Sequence, residues 1–168
     1  KPDSGAINKM LDDIRGTIPE VAIRTTFLTG YPGETEKDFE DLYNFIFDFR
    51  FDRMGVFAFS PEGGTPAANM TKQFVPREKA EERRDILLKE QQAISLANNE
   101  DLIGKTLTVL PETEHDEEEY YIGRTQSDAP EVDNTVIFQG PPDILSQGFV
   151  KVKVTDADYY DVFGTFVS

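Results

Sequence analysis

The residues best placed to do chemistry lie in one short stretch, Gly30-Tyr31-Pro32-Gly33-Glu34-Thr35. It follows a run rich in β-branched residues and precedes a helical pattern. In α/β folds that position, between the carboxyl end of a strand and a helix start, is where ligands bind. Glycines there allow close backbone approach, and a helix start offers free N–H groups. No Lys follows Gly33, and Glu34 would repel an anion, so a neutral ring or nucleoside edge suits the loop better than a phosphate. An ordinary strand–helix turn has the same spacing. Arg24, mid-strand beside Thr25 and Thr26, is a second candidate. An arginine inside a sheet needs a partner. Either a ligand carboxylate held bidentately or a structural salt bridge would supply one. Phe57 and Phe59 form a third, two aromatics at i and i+2 that share a strand face. They flank a flat ligand or fill a core.

Other chemistry is excluded. The 168 residues contain no Cys and a single His, His115. No thiolate nucleophile, zinc finger or cysteine-ligated iron–sulfur cluster can be built from them. His115 lies in an acidic run with no nucleophile near it in sequence, and reads as an exposed bystander. Asp156-Ala157-Asp158-Tyr159-Tyr160-Asp161 spaces its carboxylates suggestively but lacks the glycine and final Glu of a calcium loop. It reads as a turn, and no metal ligand or catalytic side chain is assigned.

These residues need elements to position them. Ile7, Met10, Leu11 and Ile14 recur at helical spacing, with Gly16 as a stop. Val21 to Thr29 reads as a strand. Thr35 to Asp38 has the spacing of a capping box, and Phe39, Leu42, Tyr43, Ile46 and Phe49 carry the helix onward. Met54 to Phe59 reads as a second strand, and Ser60 to Pro66 as a loop. Pro76 opens a long helix to about Asn99, supported by Asp85 and Lys89 at i,i+4. Strands alternating with helices predict a parallel sheet. Two strands do not complete an α/β barrel, so residues 1–103 read as the tail of a larger one.

From Gly104 the pattern changes. Five strands are expected at Thr106–Leu110, Tyr120–Arg124, Thr135–Phe138, Phe149–Thr155 and Tyr160–Phe166. That is a small OB-like β-barrel over residues 104–168. Glu114 to Glu119 reads as a solvated hairpin tip. The net charge is −15, with 4 basic and 13 acidic groups in residues 104–168. A net of −9 there opposes nucleic acid and favours a basic partner. No run is apolar enough for a membrane span, and no signal peptide opens the chain. A cytoplasmic location is expected. Lys1 in place of Met predicts a piece of a longer protein.

Taken together, Arg24 to Thr35 resembles the fifth-strand segment of the methylthiotransferases, which are radical S-adenosylmethionine enzymes. Phe57-Ala58-Phe59-Ser60-Pro61 with Gly64-Thr65-Pro66-Ala67 is similar to their sixth-strand segment. The region from Gly104 resembles their TRAM domain. Asp128-Ala129-Pro130-Glu131-Val132-Asp133 and Val152 to Asp161 resemble the branch that modifies an aspartate of a ribosomal small-subunit protein. The family's CxxxCxxC motif and its other cluster cysteines are absent. The fifth-strand pattern GxIxGxxE is matched by Thr26, Leu28 and Gly30, with its Glu one place late at Glu34.

The resemblance implies the C-terminal part of a radical S-adenosylmethionine (β/α) barrel followed by a TRAM barrel. It implies S-adenosylmethionine as cofactor and two 4Fe–4S clusters whose ligands lie outside this chain. It implies radical transfer of a methylthio group to an aspartate β-carbon, with this segment inactive alone. Arg24, Thr26, Leu28, Gly30, Gly33, Glu34, Phe57 and Phe59 would border the cofactor. Asp128, Glu131, Asp133, Asp156, Asp158 and Asp161 would meet a basic ribosomal protein. A tRNA methylthiotransferase, or a non-catalytic acidic module that docks basic proteins, are the alternatives.

Overall fold

The structure, a computed structural model, describes residues 4–167. It opens with α1 (Ser4–Thr17), β1 (Arg24–Thr29), α2 (Glu36–Phe49), β2 (Arg53–Ala58) and α3 (Arg77–Glu100). Strands β1 and β2 pair in parallel, with Leu28 opposite Phe57 and Arg24 opposite Arg53. Thr35 caps α2 as its spacing predicts. Its hydroxyl accepts the Asp38 N–H, and Asp38 accepts the Thr35 N–H. Some boundaries differ from expectation. Strand β1 starts three residues later than Val21, because the Val21 N–H turns back to the Ile18 carbonyl. Gly16 lies inside α1, and the Ile18 N–H still bonds the Ile14 carbonyl. Asp85 pairs with its neighbour Arg84, not with Lys89.

Helices α2 and α3 cover one face of this sheet. Ile46, Phe51, Leu87 and Ile94 are at most 2% exposed and centre the core there. Phe51 packs edge-on against Phe27 and Phe45 and lies 4.4 Å, centroid to centroid, from Phe49. Burying rings of this size contributes on the order of 2 kcal/mol each. α3 spans 24 residues, about 36 Å, and leads into the second unit.

That unit comprises β3 (Thr106–Glu114), β4 (Tyr120–Arg124), β5 (Val136–Gln139), β6 (Val150–Ala157) and β7 (Val162–Val167). They close into a barrel in the order β3-β4-β5-β7-β6, with β5 and β7 parallel and the other pairs antiparallel. Val109, Val136, Phe138, Val152 and Val154 alternate inward and are at most 1% exposed. Period-two patterning thus builds the core. Gly123 permits strand crossing, since a Cβ there would sit 2.5 Å from the Leu110 carbonyl oxygen. The acidic run forms the β3–β4 tip, with His115 half-buried rather than exposed. Its Nδ1 accepts the Glu117 N–H. Residues 158–161 form a turn before β7, in which Asp158 accepts the N–H groups of Tyr160 and Asp161. Among the described residues no helix is long and apolar enough to cross a membrane.

Candidate functional site

The parallel register sorts the side chains of β1 and β2 onto two faces. Thr25, Phe27 and Thr29, with Met54, Val56 and Ala58, turn toward the helices. Arg24, Thr26 and Leu28, opposite Arg53, Gly55 and Phe57, form the other face. Leu28 is 44% and Phe57 62% exposed. Two large apolar side chains standing open on an α/β sheet mark a surface built for contact. Gly55 leaves a slot between Thr26 and Phe57. A Cβ there would meet the Thr26 hydroxyl at 3.6 Å and the Phe57 ring at 3.8 Å.

The two ends of this face differ. At its lower end Arg24 and Arg53 stand side by side, and the loop 125–134 of the barrel packs against them. Arg53 donates to Asp128, its Nε at 3.0 Å. The Arg53 and Asp128 side chains are 15% and 4% exposed. Asp128 also accepts the Thr125 hydroxyl. Arg24 lies 3.5 Å from Asp133, which accepts the Ala129 N–H. The structure therefore gives Arg24 a protein carboxylate, the salt-bridge alternative left open by the sequence. Arg53, which the sequence reading passed over, makes the more buried pair. It carries no local signal, because its partner lies 75 residues away.

The upper end, about 17 Å along a six-residue strand, carries the glycine loop. Gly30 has φ +74°, and a Cβ on it would lie 2.3 Å from the Ala80 Cβ of α3. Gly33 has φ +90° and donates its N–H to the Gln73 carbonyl at 2.8 Å. Thr29, fully buried, donates its hydroxyl to the Ala80 carbonyl at 2.9 Å. Glu34 turns inward: one carboxylate oxygen accepts the Gly30 N–H at 3.0 Å and the other accepts from Arg83. Strand β2 ends at Ala58, yet the Phe59 N–H still bonds the Thr29 carbonyl at 2.8 Å. The Phe59 ring sits 5.5 Å from the Tyr31 ring and 6.1 Å from Phe74. Beside it a cleft of about 400 Å³ opens between the end of β2 and the start of α3, lined by Phe57, Phe59, Phe74 and Arg77. The Glu81 carboxylate holds the Arg77 guanidinium pKa above its ordinary value.

The carboxylates of the barrel divide in the same way. Asp128 and Asp133 face the sheet arginines. Asp161 accepts the Thr135 N–H and hydroxyl, and Asp158 organises its own turn. Glu131 and Asp156 are exposed, and so are Glu114 and Asp116 to Glu119 at the hairpin tip. Among the described residues no three His, Asp or Glu side chains converge as a metal site. With no Cys in the chain, its donor set does not fit an iron–sulfur cluster.

Residues 103–167 match the family model described as TRAM domain. The chain is 43% identical over 168 residues to "Ribosomal protein uS12 methylthiotransferase RimO" of Crocosphaera subtropica, covering 99% of this chain and 38% of that protein. It is 41% identical over 156 residues to the protein of that name from Parabacteroides distasonis, covering 93% and 36%. It is 40% identical over 168 residues to the one from Carboxydothermus hydrogenoformans, covering 100% and 38%. The chain thus spans a little over a third of the length of these curated relatives. On these matches and this fold, the chain belongs to the RimO methylthiotransferase family and represents the C-terminal part of its members.

Proposed function

We propose that this segment supplies one wall of the S-adenosylmethionine pocket in a ribosomal protein uS12 methylthiotransferase. The observation that carries the reading is the open face of β1 and β2. Leu28 and Phe57 offer two apolar surfaces, the Gly55 slot lies beside them, and the Thr26 hydroxyl adds a hydrogen-bond partner. Such a face fits an adenine ring, which needs apolar contact on its planes and polar contact at its edge. The cofactor, when bound, supplies the radical chemistry; this chain holds and orients it and excludes water around it. The iron ligands lie outside this segment, and the segment alone is inactive. The loop from Gly30 to Gly33, with Phe59, borders the upper end of the pocket. Arg24 contributes to its lower end from the pair with Asp133.

The TRAM barrel carries the protein substrate in this reading. Its net −9 suits a basic ribosomal protein through charge complementarity. Glu131, Asp156, Asp158 and the hairpin-tip carboxylates are exposed groups available for that contact. Asp128, Asp133 and Asp161 act indirectly, by shaping the loops that present them. The reaction takes place in the cytoplasm.

The test is S-adenosylmethionine binding by the full-length protein, read by calorimetry. Phe57→Ala removes most of a ring surface and raises Kd by about tenfold. Gly55→Leu fills the slot and does so at least as strongly. Wild-type affinity in both variants would overturn the assignment.

A further inference from the structure

The loop from Gly30 to Glu34 is not held by its own turn alone. Arg83, on the second turn of α3, is 2% exposed. One of its terminal nitrogens donates to Glu34, the other lies 3.0 Å from Glu36, and the guanidinium stacks over Phe39 at 5.3 Å. Its Nε has no hydrogen-bond partner. Glu36 is exposed, so Glu34, itself 11% exposed, is the buried counter-charge. The second carboxylate oxygen of Glu34 accepts the Gly30 N–H. A chain of contacts therefore runs from α3 through a carboxylate to the glycine at the strand's end.

We infer that Arg83 is a positioning residue for this loop, acting through Glu34 on Gly30, and that it sets the affinity for S-adenosylmethionine without touching it. The inference rests on the pocket reading above. A loop that swings away leaves Arg83 only the exposed Glu36, and a buried guanidinium without a buried counter-charge is disfavoured. The pair therefore biases the loop toward the one conformation seen. Ala80, one turn earlier, reinforces this by accepting the Thr29 hydroxyl and leaving no room for a side chain at position 30. Removing the arginine leaves Glu34 buried without a cation, and the loop opens to hydrate it. If the ordered loop falls to about a tenth of the population, apparent Kd rises about tenfold.

The experiment uses the full-length protein and two readouts, S-adenosylmethionine Kd by calorimetry and hydrogen exchange of the Gly30 amide. Arg83→Met should raise Kd about tenfold and speed Gly30 exchange, with kcat at saturating cofactor changed less than about threefold. Adding Glu34→Gln should restore Kd to within about threefold, because the neutral amide oxygen still accepts the Gly30 N–H. A residue of purely structural value would lower the folded fraction and show no such rescue. Arg83→Lys, which keeps the charge, serves if Arg83→Met does not fold, and should give a smaller change in the same direction. Wild-type Kd and exchange in a folded Arg83 variant would overturn the inference. Phe57→Ala separates it from the pocket reading: that variant should weaken binding while Gly30 exchange stays unchanged. If Phe57→Ala binds normally, the pocket reading fails, and Gly30 exchange in the Arg83 variants still decides whether the arginine holds the loop.

Discussion

Asp128→Ala should loosen the TRAM barrel from the sheet without unfolding either. Asp128 is the buried counter-charge of Arg53, with side chains 4% and 15% exposed. Truncating one partner of a buried pair costs about 3–5 kcal/mol. Arg53 keeps its bond to the Asp52 carbonyl at 2.8 Å and some exposure, so the lower figure, about 3 kcal/mol, applies. That is roughly a hundredfold more of the undocked form. The barrel has its own core, centred on Val109, Phe138 and Val152, and survives undocking. The assay is native-state proteolysis of the full-length protein at the junction after α3. Cleavage there tracks the open population when opening is fast, so the rate should rise roughly a hundredfold. The double variant Asp128→Leu with Arg53→Met should return to within about 1 kcal/mol of wild type, because replacing both charges removes the orphan. A change below about 0.5 kcal/mol in Asp128→Ala would place the pair among surface contacts and refute the clasp.

Three further outcomes follow. Gly30→Ala combines a left-handed backbone with a Cβ 2.3 Å from Ala80, and should destabilise the half-barrel by about 2–5 kcal/mol in denaturant unfolding. Tyr43 donates to Glu90 at 2.8 Å, and this bond holds its phenol pKa above the ordinary value. Its contribution to stability is therefore complete below pH about 10 and lost as pH rises through the raised value. Tyr43→Phe should cost less than about 1 kcal/mol at neutral pH and abolish that alkaline loss, as seen in unfolding midpoints across the range. Reversing Glu114, Glu117 and Glu118 to Lys should slow association with a basic ribosomal protein by at least about tenfold at low salt and flatten its salt dependence. Unchanged kinetics would remove the hairpin tip from the docking surface.

What could be read from the sequence was what is local. The Thr35–Asp38 capping box and the strand expected over Phe149–Thr155 each lie within a few residues, and each has its counterpart in the fold. The open face of β1 and β2 was legible residue by residue as Thr26, Leu28 and Phe57, yet not as a face. Its register depends on pairing across the α2 crossover. The buried ion pairs were invisible for the same reason. Arg83 and Glu34 lie 49 residues apart, and Arg53 and Asp128 lie 75 apart. Nothing in the sequence near Arg53 or Arg83 distinguishes them from a solvated charge. The resemblance to the fifth-strand pattern placed Glu34 beside the cofactor. Only the packing of α3 shows that it turns inward. Phe57 and Phe59, two residues apart, line one cleft, although the strand ends at Ala58.

The central claim is that the open face of β1 and β2 lines the cofactor pocket. A crystal structure of the full-length protein with S-adenosylmethionine tests it most directly. The adenine ring should lie against Leu28 and Phe57, over Gly55, with its edge toward Thr26. An adenine bound elsewhere, with Leu28 and Phe57 covered by protein, would contradict it.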